Sequence, residues 1–297
     1  MNRGSWIALW VLSLGWGTVG VATRSAFQRG VDPLTVVSGR LVIAACLVVL
    51  AQVVLRRRIR IERPVLRTGA VMAVTGIAMP FLLFNIAYQH ASAGFVGLMA
   101  ALSPLGTAAF AHVLLPDEPL TRQRLIGLVL GIAGVAILLL SGDSGLAVGG
   151  DGVRAVAWSL PGIAAFSFST VYAKRQSASL AGFDVMVIQF TIAAVLMVIP
   201  MLVFEGPPRL DGVSWALLIY LAVGSTVVPL MLFYWVLERN SAGQAALVGF
   251  LVPVVAVVAG VILLGERAGP GLVAGGLAII CGVLIADRGG CTGRRPA

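Results

Sequence analysis

The chain has 297 residues, of which 59% are hydrophobic and 11% are charged, whereas soluble domains carry about 25% charged residues. This composition excludes an ordinary globular protein and predicts an integral membrane protein in contact with the lipid bilayer. The net charge of +9 would indicate nucleic acid as the partner of a soluble chain. In a membrane protein, however, basic residues mark the cytoplasmic loops, so no nucleic-acid partner is expected.

Ten predominantly apolar segments follow in chain order, and each is long enough to cross a hydrocarbon core of about 30 Å. The first one follows Arg3, as the apolar part of a signal peptide would, but the many further segments favour an uncleaved helix. The predicted transmembrane helices are 5–22, 34–55, 68–88, 93–115, 125–140, 153–173, 183–204, 213–237, 242–264 and 271–286. The predicted fold is therefore an all-α polytopic membrane protein with ten transmembrane helices.

An internal duplication organises these helices. With an offset of 149 residues, Pro80 corresponds to Pro229, and Ser92-Ala93-Gly94 corresponds to Ser241-Ala242-Gly243. Five helices per repeat bring the second repeat into the membrane from the opposite side, so the repeats are inverted about an axis in the membrane plane. The predicted division is a first repeat 1–140, a polar glycine-rich linker 141–152, a second repeat 153–287 and a tail 288–297.

Lysine and arginine are distributed unevenly between the two membrane faces. Fifteen lie on the side of the N terminus and five on the opposite side, while Arg40 lies inside the second helix. Because basic residues are retained on the cytoplasmic side, we expect both termini in the cytoplasm and the protein in the cell membrane.

Several motifs lie within the helices and at their ends. They are Trp16-Gly17, Arg40 early in helix 2, Ser92-Ala93-Gly94 before helix 4, the mid-helix prolines Pro104 and Pro253, and Leu264-Gly265-Glu266-Arg267 after helix 9. In these features, and over nearly its whole length, the chain resembles the EamA-type permeases of the drug/metabolite transporter superfamily. The resemblance implies ten helices in two EamA repeats and the export of small metabolites, often amino acids or amines, through a central cavity.

Two positions depart from the pattern of this family. The first repeat reads Leu115-Pro116-Asp117-Glu118-Pro119 where the family usually has Leu-Gly-Glu-Arg. Helix 6 carries Phe168-Ser169 where a second Trp-Gly or Trp-Ala is expected. Neither departure affects the expected fold, but both lie where a gate is expected.

Polar and aromatic side chains within the apolar segments are candidates for the substrate site, because polar groups are costly inside a bilayer. Asn85 and Tyr234 occupy the same repeat position, as do Arg40 and Gln189. The alternative for each residue is a hydrogen bond between helices, worth about 0.6 kcal/mol, and Arg40 has the further option of extending to the headgroups. The candidate substrate-binding residues are Trp16, Thr18, Arg40, Asn85, Ser103, Ser169, Gln189, Tyr234 and Trp235. Thr170 belongs to the same polar and aromatic set.

Four further residues are candidates for gating. Pro104 and Pro253 each remove a helical hydrogen bond at mid-helix, and they either kink the helix or line the substrate site. Glu118 and Glu266 lie at equivalent corners on opposite faces, where they either pair with arginines across the halves or are solvated helix ends. No acidic residue lies deep in a span, so the sequence names no proton-carrying carboxylate and leaves the coupling of transport open.

Other motifs carry no chemistry in this context. Gly15 to Gly20 matches the dinucleotide pattern G-x-G-x-x-G, but it lies inside an apolar span rather than between a strand and a helix. The two histidines lack metal-ligand spacing, and no catalytic triad is available. We therefore expect no enzyme, no cofactor and no metal site. Small-residue spacing in helices 5 and 10 predicts close helix packing or a dimer contact, which leaves a monomer or a homodimer.

The function that the sequence predicts is a secondary transporter that moves a small-molecule solute, an amino acid or amine, by alternating access, as an exporter. Two alternatives remain open at this stage. A carrier of phosphorylated or lipid-linked substrates requires a basic midplane pocket, for which the chain offers Arg40 alone. A membrane-embedded enzyme requires a catalytic constellation, which the sequence lacks.

Overall fold

The structure is a computed structural model that describes residues 3–56, 62–115, 120–141, 151–176, 182–239 and 247–291. Within these residues every regular element is a helix. Nine helical stretches are long and apolar enough to cross a membrane, and the shorter apolar helix Val248–Leu264 follows residues 240–246, which lie outside the described ranges. Together they correspond to the ten predicted spans, and the all-α prediction is confirmed.

The ten spans are labelled α1 to α10 in chain order. In the first half α1 comprises Arg3–Gly17 and Val19–Phe27, α2 is Pro33–Val54, α3 comprises Arg63–Met72, Ala73–Ala78 and Met79–His90, α4 comprises Ala93–Ala100 and Ser103–Leu114, and α5 is Arg122–Leu140. In the second half α6 is Gly152–Gln176, α7 comprises Gly182–Pro200 and Met201–Glu205, α8 comprises Gly212–Ala222, Val223–Val227 and Val228–Arg239, α9 is Val248–Leu264 and α10 is Pro270–Cys291.

Several predicted helix ends are wrong. The first helix was predicted to end at residue 22 but continues to Phe27, and the third begins at Arg63 rather than at residue 68. Apolar sequence marks only the part of a helix that lies in hydrocarbon, whereas the hydrogen-bonded backbone continues into the polar ends. The predicted start of the ninth helix lies in 240–246, outside the described residues.

Three spans contain a π-helical segment: Met201–Glu205 ends α7, and the other two, in α3 and α8, lie at equivalent repeat positions. We call Ala73–Ala78 the first π segment and Val223–Val227 the second π segment; with the offset of 149 they coincide except at one end. Each precedes a proline, Pro80 or Pro229. Proline has no N–H and its ring collides with the carbonyl four residues earlier, and a π turn is a common way to accommodate such a defect. The predicted continuous helices are therefore locally rewound at both positions.

Contacts at one membrane face establish how the halves are oriented. Glu205, at the end of α7, accepts hydrogen bonds from the backbone N–H groups of Leu34 and Thr35 at the start of α2. Glu266, just after α9, accepts one from Ala93 at the start of α4. We call this face the capped face. Here α2 begins where its repeat equivalent α7 ends, and α4 begins where its repeat equivalent α9 ends. Equivalent helices thus run in opposite directions, which confirms the inverted repeats.

Packing between the halves is two-fold symmetric at residue level. A Cβ built on Gly39 would lie 2.8 Å from a methyl group of Leu218, and one built on Gly69 would lie 2.8 Å from Cβ of Ile188. With the repeat offset of 149, position 39 corresponds to 188 and position 69 to 218, so the two contacts are repeat equivalents with their partners exchanged. Beyond Pro104 and Pro253 the offset is 148 residues, and it relates two contacts of α5 with α10 in the same way, Gly127 with Gly282 and Gly134 with Gly275. Each contact therefore recurs with its partners interchanged, as a two-fold axis between the halves requires.

The core lies between the two halves, and apolar side chains also cover the outside. The largest buried cluster joins α3 and α4 to α6 and α10 around Phe95 and Ile279, both fully buried. On α5, by contrast, Val129 and Ile132 are 58% and 63% exposed. Large exposed apolar surfaces of this kind are normal only against lipid, so the chain is an integral membrane protein.

Candidate functional site

Arg40 is the central charged group of the predicted site, and it is 5% exposed. Its Nε donates to Oγ1 of Thr226 over 2.7 Å, and its Nη2 donates to the carbonyl oxygen of Ser225 over 3.1 Å. Its guanidinium carbon lies 4.1 Å from the centre of the Phe81 ring. Arg40 therefore does not extend to the headgroups but joins α2 of the first half to the second π segment.

The position of Arg40 follows from a defect in α8. Pro229 cannot donate to the carbonyl of Ser225, four residues earlier, because proline has no N–H. An unpaired carbonyl inside a bilayer costs several kcal/mol, and the guanidinium replaces the missing donor. Thr226 helps by donating its own hydroxyl to the carbonyl of Leu221 over 2.7 Å, which leaves a lone pair for Arg40.

Ser103 resolves a similar defect in α4. Pro104 leaves the carbonyl of Ala100 without its helical donor, and the hydroxyl of Ser103 donates to that carbonyl over 2.7 Å. The chain is non-helical at Ala101 and Leu102, so α4 breaks just before this proline. Pro253, its repeat equivalent, lies inside the unbroken helix α9. The two prolines therefore differ in geometry, and only Pro104 lies at an interruption.

Asn85 lies on the same face of α3 as two neighbours of Arg40. Its amide Nδ2 donates to the carbonyl of Phe81 over 2.8 Å, whereas its Oδ1 is buried without a partner among the described residues. Phe81, Asn85 and Tyr88 follow the i, i+4, i+7 spacing of one helix face, and Phe81 carries the Arg40 guanidinium. Asn85 thus adds an acceptor without a partner among the described residues to the surface around Arg40, and its role in substrate binding remains a prediction.

Aromatic side chains of α1 and α8 form a second group. The rings of Trp16 and Phe233 lie 5.6 Å apart, and the hydroxyl groups of Thr18 and Tyr220 share a short hydrogen bond. Trp235 packs on the same apolar cluster and lies 4.6 Å from the guanidinium carbon of Arg239. The structure therefore brings Trp16, Thr18 and Trp235 together along the interface of α1 with α8.

Ser169 and Gln189 lie in a third group, beside the first π segment. A Cβ built on Gly76 would lie 2.5 Å from Oγ of Ser169, which is 3% exposed. Gln189 is half-buried on α7, where its backbone nitrogen faces Gly69 of α3. Thr170 points elsewhere, because its hydroxyl donates to the carbonyl of Phe166 on its own helix and is exposed.

Two predicted residues cannot be placed. Glu118 belongs to 116–119, which lies outside the described residues, and so does the side chain of Tyr234, although its backbone belongs to α8. The predicted roles of Glu118 in gating and of Tyr234 in substrate binding remain predictions.

Glu266 pairs with an arginine across the halves, which is one of the two arrangements expected for it. Arg24 of α1 lies 3.4 Å from its carboxylate and also donates to the carbonyl of Ala91. The same carboxylate accepts the N–H groups of Ala93 and Gly94 over 2.8 and 3.3 Å. Glu266 thereby neutralises Arg24 and caps the positive end of α4.

The Leu264-Gly265-Glu266 motif explains why this carboxylate points back into the protein. Gly265 has φ of 65° and ψ of 25°, a left-handed conformation that ends α9 and that glycine adopts without strain. The backbone N–H of Glu266 then donates to the carbonyl of Gly260 over 3.1 Å. Because Gly260 lacks a side chain, the carboxylate lies directly against α9.

Glu205 is a functional candidate that sequence reasoning missed. It accepts three hydrogen bonds from the start of α2: from the N–H of Leu34 over 2.9 Å, and from the N–H and hydroxyl of Thr35 over 2.7 and 2.8 Å. Asp32, at the N-cap position of α2, makes no capping bond of its own. No motif and no repeat equivalent mark Glu205; the only sequence signal is a carboxylate at the end of a span.

A surface ion pair completes the capped face. Asp211 caps α8 by accepting the N–H of Ser214 over 2.8 Å, and it pairs with Arg29 of the first half over 3.0 Å. Hydrogen bonds from Ser214, first its side chain and then its backbone, hold the pKa of Asp211 below its ordinary value, and Arg29 contributes in the same direction. A cavity of about 330 Å³ lies beside Arg24, and its other lining residues are Phe27, Gln28, Tyr88 and Gln89.

Comparison with known proteins identifies relatives of the whole chain. The profile of the EamA-like transporter family matches residues 4–140 and 153–286. The uncharacterized transporter YvbV of Bacillus subtilis is 24% identical over 93% of this chain and 89% of its own length. A protein of Streptantibioticus cattleyicolor, named a probable terminal-alkyne amino-acid exporter, is 24% identical over 77% of this chain and 75% of its own length. A solved crystal structure, 22% identical, covers 97% of this chain and 98% of its own with a TM-score of 0.65.

Proposed function

Because the chain belongs to the EamA-like transporter family, and is therefore a transporter rather than an enzyme, we propose that it exports a small metabolite by alternating access. The solute that we propose is an amino acid or an amine-like molecule. One relative is named as an amino-acid exporter, and the polar and aromatic groups around the two π segments suit a solute with one polar and one apolar part.

The observation that carries the proposal is the way the capped face is closed. Three contacts there join the first half to the second: Arg24 with Glu266, Thr35 with Glu205, and Arg29 with Asp211. None of the three lies within one half, so a rotation of the halves against each other would break them together. Inverted repeats supply the matching state, in which the halves exchange conformations and the opposite face closes.

We assign the capped face to the outside of the cell. The end of α2 and the start of α3, which flank the basic sequence 56–62, lie on the other face, and basic loops are retained in the cytoplasm. In this orientation both termini are cytoplasmic, and the structure corresponds to a state closed towards the outside. An impermeant thiol reagent applied to intact cells should label a cysteine at Glu266 but not one at Asp117; labelling of Asp117→Cys alone would reverse the assignment.

The proposal is tested with purified protein in liposomes. Radiolabelled amino acids and amines are offered one at a time, and uptake and efflux are measured with and without a pH gradient. We expect at least one solute of these two classes to cross faster than in protein-free liposomes, and to exchange with the same unlabelled solute inside. Failure of every amino acid and amine, together with transport of a phosphorylated solute, would overturn the proposed substrate class.

A further inference from the structure

A cavity of about 330 Å³ lies at the capped face, beside the contact of Arg24 with Glu266. The end of α1 contributes Arg24, Phe27 and Gln28 to its wall, and the end of α3 contributes Tyr88 and Gln89. Four of these five side chains are polar, and the fifth is the ring of Phe27. Cavities that bind small molecules measure about 300–1,000 Å³ and combine apolar surface with a few polar groups, so the size and the lining suit a small solute.

The packing of α1 against α3 places Tyr88 in this wall. Gly20, Arg24 and Phe27 follow the i, i+4, i+7 spacing of one helix face. A Cβ built on Gly20 would lie 2.7 Å from Cε1 and 3.0 Å from Cζ of Tyr88, so the ring of Tyr88 lies directly on this glycine, about one turn of α1 before Arg24. Tyr88 is 8% exposed, and its hydroxyl, which lines the cavity, makes no hydrogen bond with the described residues.

Arg24 also has donors that the described residues leave unused. Its guanidinium carries five N–H groups. The Nε atom lies 3.4 Å from Oε1 of Glu266, and Nη1 donates to the carbonyl of Ala91, whereas Nη2 makes no hydrogen bond within the described part of the chain. The wall of the cavity thus holds a partly paired guanidinium and an unpaired phenol hydroxyl, and both groups donate to anionic oxygen atoms.

The charge of Glu266 favours a ligand with a single negative charge. The carboxylate of Glu266 accepts the N–H groups of Ala93 and Gly94 over 2.8 and 3.3 Å, so the start of α4 continues to stabilise it when Arg24 binds another group. Its negative charge next to the cavity repels a phosphate dianion more strongly than a monovalent carboxylate. The ring of Phe27 offers a contact for an apolar part of the same ligand.

We propose that this cavity binds the carboxylate group of a small solute, which accepts hydrogen bonds from the guanidinium of Arg24 and the hydroxyl of Tyr88. The solute takes the place of Glu266 at Arg24, which removes one of the contacts that join the halves at the capped face. A bound solute thereby favours the opening of this face. The site rests on the proposed function in one respect: the carboxylate that we assign to it is that of a transported amino acid, since an amine lacks this group.

The test measures how solutes protect a cysteine in the cavity from alkylation. Gln89→Cys is introduced in a background where Cys46, Cys281 and Cys291 are changed to alanine, and the purified full-length protein in detergent reacts with N-ethylmaleimide, an uncharged thiol reagent. Three probes of similar shape are compared at equal ionic strength: leucine, 4-methylpentanoate, which lacks the ammonium group, and leucinamide, which lacks the carboxylate. We expect saturable protection by leucine and 4-methylpentanoate and none by leucinamide.

Four variants assign the protection to this site. Arg24→Gln should raise the apparent Kd at least about tenfold, and Tyr88→Phe about two- to tenfold, because each removes a hydrogen bond to the carboxylate. Glu266→Gln removes the competing carboxylate and should lower the apparent Kd. Arg29→Gln is the matched control, because Arg29 also joins the halves through an ion pair but does not line the cavity; its apparent Kd should equal that of the parent protein. If Arg24→Gln does not fold, the opposite effects expected of Tyr88→Phe and Glu266→Gln decide.

Absence of protection by both carboxylates, or equal protection by leucinamide, would overturn the proposal. Protection that Arg24→Gln and Tyr88→Phe leave unchanged would also overturn it, because the carboxylate would then bind elsewhere. The liposome measurements keep this result separate from the proposed function. If the carboxylates protect position 89 and no amino acid or amine is transported, the proposed function falls and the site stands. If amino acids are transported and protection does not occur, only the site falls.

Discussion

At the scale of single residues, proline determines where polar side chains are needed. Pro104 frees a carbonyl that Ser103 satisfies, and Pro229 frees one that Arg40 satisfies. Both side chains belong to the polar set that the sequence singles out, and their contacts explain why they tolerate the bilayer. A polar residue in a span can thus complete a broken helix, and non-helical backbone of this kind is tolerated inside a bilayer where it is buried in protein.

Substitution of Arg40 and of Pro229 tests whether Arg40 stabilises the carbonyl that Pro229 leaves without a donor. Arg40→Met should lower the free energy of unfolding by about 1–3 kcal/mol, because the carbonyl of Ser225 is left without a partner. Adding Pro229→Ala restores a backbone N–H four residues after that carbonyl, so part of the loss should return. Thermal unfolding of the single and double variants in detergent measures both effects. A double variant less stable than Arg40→Met would show that the carbonyl is not what Arg40 stabilises.

The depressed pKa of Asp211 predicts how the capped face responds to acid. A carboxylate whose folded pKa lies below its unfolded value of 3.8 stabilises the protein at pH values above the unfolded pKa, and this contribution disappears as the pH falls through the folded pKa. Asp211→Asn should therefore destabilise the protein by the same amount at pH 7 and pH 5, and by less below pH 3.8. Unfolding curves of both proteins over this range provide the measurement, and a difference that grows on acidification would contradict the prediction.

At the scale of helices, close packing depends on glycine where the two halves meet. Gly127 of α5 faces α10, where a Cβ would lie 2.8 Å from Cβ of Ala286 and closer still to the carbonyl of Gly282. Such contacts allow helix backbones to approach inside a bilayer, where van der Waals packing replaces the hydrophobic effect. The sequence predicts this packing from glycine spacing alone, although it leaves open whether the partner helix belongs to the same chain. The structure places the partner within the chain.

Gly127→Leu should force α5 and α10 apart. We expect a loss of about 1–3 kcal/mol, typical of overpacking, seen as a lower unfolding temperature in detergent. Val129→Leu is the matched control, because this side chain lies on the same helix, is 58% exposed and faces away from α10. If both variants unfold at the wild-type temperature, α5 and α10 do not pack through these glycines.

The sequence predicts the number, order and inverted arrangement of the helices, because each property depends on hydrophobicity, charge and repetition along the chain. It also selects Arg40, Asn85 and Glu266, because a polar or charged group in or beside a span is rare. It does not predict the π segments, for which proline is the only local signal. Nor does it predict the Glu205 cap, which depends on how one half meets the other.

At the scale of the whole molecule, the proposed alternating access requires the two inverted halves to move against each other as rigid units. On the capped face, contacts between the halves lie at the ends of helices, where the N–H groups of one half meet carboxylates of the other. Each such cap is a discrete interaction that is either formed or broken. Caps of this kind favour two defined states over a continuum of intermediate shapes.

Cross-linking of the capped face tests this property most directly. Cysteines replace Arg29 and Asp211, whose charged groups lie 3.0 Å apart across the halves, in a background where Cys46, Cys281 and Cys291 are changed to alanine. A short reducible cross-linker is applied to the protein in liposomes, and exchange of a transported solute is measured before and after reduction. The control pair is Asp151→Cys with Arg154→Cys, whose native side chains pair with each other at the start of α6.

The account predicts that the cross-link between positions 29 and 211 stops exchange, that reduction restores it, and that the control pair exchanges at the uncross-linked rate. Exchange that continues unchanged while positions 29 and 211 are joined would contradict it, because the solute would then cross without separation of the halves at the capped face.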